Sequence, residues 1–269
     1  MKNFVVLSML LCLSLSGFAR KEKNKLVLIE TTMGNMKVEV FKETPQHAAN
    51  FLKLVEEGFY DSLLFHRVIP NFMIQGGDPE SKHALNGQML GNGDVGYRVP
   101  AEFMDTFYHK KGALAAARDM NPEKASSGCQ FYIVDGQKYK RDQLANTMNQ
   151  KNLNRKQKIF YDLIQKDSIN STISAFQTAK DKAGLTAFIE TLKPSVEELY
   201  LKSGGDFVYE EPQVETYETI GGAPHLDGEY TVFGELVEGF DVLDKISSVS
   251  KGQSDRPLQN IRMKMRMLN

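Results

Sequence analysis

Cysteine is nearly absent from this chain: two residues in 269, Cys12 and Cys129. They allow one disulfide at most, and removal of the segment that carries Cys12 would leave none, so stability must come from a packed core. Cys129, between Gly128 and Gln130, reads as a small buried residue rather than as the nucleophile of a Cys129–His66 pair. Charge imbalance is missing too. Thirty-three Lys and Arg against 34 Asp and Glu leave a formal net charge of −1, which gives no electrostatic ground for nucleic acid or an anionic membrane as a partner. No internal apolar run approaches the roughly 18 residues of a bilayer span. The five histidines are scattered without a ligand-spaced cluster, so no metal and no cofactor are expected. No repeat or low-complexity tract is present. The spaced glycines of Gly91-Asn92-Gly93-Asp94-Val95-Gly96 have no strand before them, no helix after them and no Walker lysine. They read as a loop rather than a nucleotide site.

What is present is an ordinary globular composition, 41% hydrophobic and 25% charged, enough for one large domain or a domain with an appendage. The N-terminus is the exception. Met1-Lys2-Asn3 is a short basic start, Phe4 to Leu15 is apolar, and Gly17-Phe18-Ala19 offers small residues for cleavage. Residues 1–19 are therefore expected to be a signal peptide. The protein is then exported, periplasmic or secreted, and keeps no stable membrane span after cleavage; an uncleaved anchor tethering it to the membrane is the alternative. Leu10-Leu11 before Cys12 lacks the small residue of a lipobox.

From residue 25 onward the patterns are those of strands with few helices. Lys25 to Thr32 and Met36 to Phe41 flank the turn Met33-Gly34-Asn35, a β-hairpin. Thr44-Pro45 predicts a helix start, with Ala48, Phe51, Leu52, Val55 and Phe59 at helical spacing and Gly58 closing it. Phe65 to Asp78 predicts two short strands about a Pro70-Asn71 turn, stopped by Gly76-Gly77. Strict alternation there would place Phe65 and Arg67 on one face and His66 and Val68 on the other. Gly112 to Ala117 is a small-residue strand that would let a bound backbone approach closely. Gln130 to Val134, Tyr230 to Leu236 and the apolar/basic alternation of Ile261 to Met267 read as further strands, and Phe240 to Ile246 as a second helix.

An arginine on a strand beside Phe72, Met73 and Gln75 makes a poor plain core, because an unpaired buried charge is expensive, and a sensible small pocket. The stretch Phe65-His66-Arg67-Val68-Ile69-Pro70-Asn71-Phe72-Met73-Ile74-Gln75-Gly76-Gly77-Asp78 resembles the signature of the cyclophilin-type peptidyl-prolyl isomerases. The resemblance continues, in family order, at Gly112 to Ala117, Ser127 to Ile133 and Leu226 to Gly234. It implies a mainly β fold, a closed eight-stranded antiparallel barrel capped by two helices, over 25–136 and 223–269. Between these parts, 137–222 departs from the pattern: Leu144, Met148, Leu153, Ile159, Phe160, Leu163 and their successors recur at three- and four-residue steps. This predicts an inserted segment of two or three amphipathic helices, with Pro194-Ser195 starting the last.

The resemblance implies the site as well. Arg67 would be the catalytic donor, facing the proline nitrogen as amide resonance is lost, and Gln75 would hydrogen-bond the peptide backbone beside it. Phe72, Met73, Tyr132 and Leu226 would form the proline pocket. Ala117, Gln130 and the main chain of Arg118 would hold the extended substrate, with His225 at the edge and Phe131 facing the barrel core. Proline-containing polypeptides would be the clients, and the insertion would be a stabilising appendage or an arm for a partner or client. A non-catalytic proline-peptide binder or chaperone is the rival reading. Two positions depart from the family: His225 stands where tryptophan is common, and Tyr230 where histidine is. Because the tryptophan position is associated with cyclosporin binding, weak cyclosporin affinity is expected; a titration giving a sub-micromolar Kd would contradict it. Tyr132 replaces the more usual phenylalanine, adding a hydroxyl that needs a partner.

Overall fold

The structure, a computed structural model, describes residues 23–268; the expected signal peptide lies outside them. Ten strands form: β1 (Lys25–Thr31), β2 (Gly34–Val40), β3 (Phe65–Ile69), β4 (Met73–Gly76), β5 (Arg98–Val99), β6 (Ala113–Ala116), β7 (Ser126–Ser127), β8 (Phe131–Val134), β9 (Val232–Glu238) and β10 (Met263–Leu268). Eight of them make one antiparallel sheet in the order β10-β1-β2-β9-β6-β8-β4-β3, and β5 pairs with β7 apart from it. The sheet curls into a half-barrel. The expected closed barrel is not formed: β3 and β10 share no ladder, and the two ends of the sheet meet only at the bridge Leu64–Arg262 and a few neighbouring backbone hydrogen bonds such as Phe65 N–H to Ile261 O.

The helices α1 (Pro45–Glu56) and α6 (Phe240–Ser247) pack apolar faces on this sheet, with Ala48, Phe51, Leu54 and Val55 buried from the first and Val242, Leu243 and Ile246 from the second. Thr44 does stand at the N-cap, but its hydroxyl donates to Phe41 O and caps nothing; Pro45 and the left-handed Gly58 (φ 66°) bound the turn as expected. Residues 137–222 contribute four helices, α2 (Arg141–Ile164), α3 (Asp167–Thr178), α4 (Lys182–Lys202) and α5 (Glu211–Thr219). Pro194 does not start a helix; it lies inside α4, where Leu192 and Tyr200, buried on either side of it, hold the helix continuous. The two ends of this segment are joined by mutual backbone hydrogen bonds between Gln137 and Gly222.

Two apolar clusters divide the sheet's faces. Leu114, Ala116, Phe131, Ile133 and Ile74 point inward with Phe65 and Val68, so Phe131 does face the core. Ala113, Ala115, Ala117, Tyr132, Val134 and Met73 point to the other face. Period-2 alternation on β4, β6 and β8 generates this split. On β3 it fails: the register with β4 shifts between Phe65 and Arg67, a β-bulge. His66 takes up the extra residue and is buried, which leaves Phe65 in the core and turns Arg67 outward, contrary to the simple alternation.

Candidate active site

The outer face carries one row of side chains across four strands. Arg67 pairs in register with Gln75, Gln75 with Tyr132, and Tyr132 with Ala115. Strands are about 4.8 Å apart, so neighbours in this row touch. The bulge on β3 is what brings Arg67 into it. Gly77 (φ 94°) ends β4 against β8, where a Cβ would lie 2.2 Å from Cys129 O, so only glycine permits so close an approach.

Within the row, Arg67 Nη1 donates to Gln75 Oε1 (3.3 Å), Gln75 Nε2 donates to Gln130 Oε1 (3.0 Å), and Gln130 Nε2 donates to Gly91 O and Gly93 O (3.0 and 2.9 Å). The guanidinium is thus braced from the glycine loop by two amides in series. Its Nε lies 3.9 Å from Asp255 Oδ2. Gln75 keeps one amide hydrogen and one lone pair for a substrate.

Next to Arg67 is a cavity of about 130 Å³ lined by Phe72, Met73, Gln75, Ala117, Arg118, Tyr132, Leu226 and Tyr230. Seven of the expected site residues therefore meet around Arg67, and Tyr230 completes the wall with its ring edge-on to Tyr132 at 6.0 Å. A second depression of about 280 Å³ shares Gln75, Ala117 and Arg118 with the first and adds Gln130 and the Gly91–Asp94 loop. His225 lines neither; it stands exposed at the rim with its ring 5.4 Å from that of Phe72. The Arg118 side chain is fixed: Nε donates to Glu229 O (2.7 Å), and the guanidinium lies 4.6 Å over the Tyr230 ring.

Tyr132 finds the partner its hydroxyl needs in His109 Nε2, 2.9 Å away. Burial raises its pKa well above the ordinary tyrosine value, so the hydroxyl stays neutral. Burial likewise pushes the Cys129 thiol up to about 11, and at neutral pH it is no thiolate nucleophile. Sequence reasoning missed His109, its partner Asp227 and Asp255, which reach the site from distant loops. Asp227 alone lay in a recognised block, and nothing in the sequence pointed to its partner. Among the described residues no helix is long and apolar enough to cross a membrane, and no three His, Cys, Asp or Glu side chains could together hold a metal ion.

Compared with known proteins, the chain matches the family described as cyclophilin type peptidyl-prolyl cis-trans isomerase/CLD over residues 26–193 and 172–266. A Streptococcus pyogenes protein named as a bifunctional phosphatase/peptidyl-prolyl cis-trans isomerase is 32% identical over 238 residues, covering 87% of this chain; the chain spans only 37% of that protein's length. A Staphylococcus saprophyticus protein named as a peptidyl-prolyl cis-trans isomerase is 28% identical, with 87% of each chain covered. The crystal structure of a Cryptosporidium parvum cyclophilin type peptidyl-prolyl cis-trans isomerase superposes with a TM-score of 0.54 over 91% of this chain and 98% of that one, at 20% identity, a likeness of fold.

Proposed function

This chain belongs to the cyclophilin-type peptidyl-prolyl cis-trans isomerases, and from that premise we propose that it accelerates rotation about Xaa-Pro bonds in exported or unfolded polypeptides. Arg67 stabilises the twisted amide, while Phe72, Met73, Tyr132 and Leu226 hold the proline ring. Gln75 and Gln130 meet the extended backbone, with Ala117 and the main chain of Arg118 beside it. The single observation that carries this reading is the braced Arg67 at the mouth of the 130 Å³ cavity. Export is part of the proposal and rests on residues 1–19 as a signal peptide. The test is catalysed exchange of a short Ala-Pro peptide by the wild-type chain, read by exchange spectroscopy or protease coupling. Acceleration is expected, and an inert wild type overturns the reading.

A second activity is favoured by the insertion's surface, where Leu201, Val208 and Tyr161 are each 60% exposed or more. These side chains would hold unfolded clients or a partner. Suppression of aggregation of an unfolded reporter is then expected to survive Arg67→Ala; its loss in that variant would tie holding to the isomerase site alone.

A further inference from the structure

A buried line of polar groups runs from the pocket into the insertion. The Tyr132 hydroxyl reaches His109 Nε2 (2.9 Å), His109 Nδ1 reaches Asp227 Oδ1 (2.8 Å), and Tyr217 on α5 donates to Asp227 Oδ2 (2.5 Å). All four residues are buried. Burial pushes the Asp227 carboxyl up, but hydrogen bonds from His109 and Tyr217 outweigh it and hold the group below its ordinary value, hence ionised at neutral pH. An ionised carboxylate only accepts, so the proton of the facing ring nitrogen lies on Nδ1. The other ring nitrogen, Nε2, is the atom that faces the Tyr132 hydroxyl. A hydroxyl on α5 is thereby connected, through two side chains, to a hydroxyl in the pocket.

The backbone behind the pocket is held from the same side. Lys151 on α2 donates to His225 O and Asp227 O (2.9 and 2.6 Å), and Tyr209, in the α4–α5 connection, donates to Pro224 O (2.6 Å). Between those anchors lies Leu226, a wall of the pocket. Lys151, Tyr209 and Tyr217 line no part of it. Docking alone would be served by the apolar root of the insertion, where Leu144, Val214 and the rings of Tyr209 and Tyr217 pack together. Buried charge adds little to stability over an apolar equivalent, but it fixes geometry when every member is satisfied.

We infer that the helical insertion is a positioning element of the proline pocket, with Tyr217 orienting Tyr132 through Asp227 and His109, and Lys151 fixing the Leu226 wall. The inference rests on the isomerase reading of that pocket. Its test is a double-mutant cycle in the full chain. Tyr217→Phe keeps the ring in its cluster and removes only the hydroxyl, and Tyr132→Phe removes the other end of the line. The expected result is a loss of about fivefold in kcat/KM for an Ala-Pro peptide on Tyr217→Phe, falling to within about twofold in the Tyr132→Phe background. Lys151→Met is the second variant and is expected to raise KM more than it lowers kcat. Equal losses from Tyr217→Phe in both backgrounds, or no loss in either, would overturn the inference while wild-type activity stands. An inert wild type would overturn the isomerase reading instead; the same cycle read in peptide affinity then decides the positioning role, with uncoupled affinities sinking it.

Discussion

Alanine at position 67 is expected to lower kcat/KM for an Ala-Pro peptide by about 10²-fold or more, while the peptide's Kd changes far less. The reasoning starts from the reaction. The barrier to rotation, roughly 18–20 kcal/mol, is lost amide resonance, so no bond is made and no proton need be removed. At the twisted geometry the proline nitrogen carries a localised lone pair that neither ground state has. A donor fixed beside it binds the transition state in preference to both, and lowers kcat rather than affinity when removed. An acceleration of about 10⁴ takes between about five and six kcal/mol, and one preorganised donor supplies about 3–4 of them. In the proposed mechanism the remainder would come from the pocket, by holding the proline ring and excluding water. Arg67 is suited to the first part because its fork is oriented by the hydrogen bond to Gln75 Oε1, with the Asp255 carboxylate 3.9 Å from Nε. Lysine in its place keeps the charge and loses the fork, so Arg67→Lys is expected to recover only part of the loss. Line-shape or exchange spectroscopy under saturating peptide separates the two constants. A variant with unchanged kcat would remove Arg67 from the mechanism, and a loss confined to KM would make it a binding group.

Which parts of this arrangement could be read from the sequence follows from the range of the interactions involved. Strands with one buried face announce themselves: Met263 and Met265 are buried and Lys264 and Arg266 exposed along β10, as their alternation predicts. The pocket residues were legible because they lie in short recognisable blocks whose spacing the sheet register then brings together. The face of Arg67 was not legible, since a bulge is decided by pairing with β4 and leaves no mark in the order Phe65-His66-Arg67. Pro194 misled because the rule that places proline at helix starts is local, whereas the continuity of α4 comes from tertiary packing. The closed barrel was an expectation of the family, and the ladder that would close the sheet gives way to the single Leu64–Arg262 bridge. His109 and Asp227 act through contacts more than a hundred residues apart. Only the folded chain states them.

Acidification is expected to destabilise the fold through His66 well before the carboxylates titrate. The bulge that frees Arg67 buries this neighbour, and neither of its ring nitrogens has a hydrogen-bond partner among the described residues. Burial lowers its pKa to about 4; the charges of Arg256 and Arg67 add to the effect, and Asp78 and the Leu64 backbone oppose it only in part. The unfolded chain would protonate the same ring near 6.5, so between those values the unfolded state binds more protons than the native state. Stability is therefore complete above about pH 6.5 and falls as pH drops toward 4, by roughly 3 kcal/mol over the window at about 1.4 kcal/mol per pH unit. His47, also lowered by burial, adds in the same direction, so the wild-type slope alone does not isolate His66. The difference between wild type and His66→Leu does. Leucine cannot protonate and leaves no unpaired ring nitrogen, so the variant's urea-unfolding free energy is expected to vary less between pH 7 and 4.5 at constant m-value. Identical slopes for the two chains would mean that the ring is reached by water and titrates in the native state as it does in the unfolded one. With the slopes separated as expected, the same bulge has two effects: it turns Arg67 toward the cavity, and it leaves beneath it a buried imidazole that makes this strand the acid-sensitive part of the sheet.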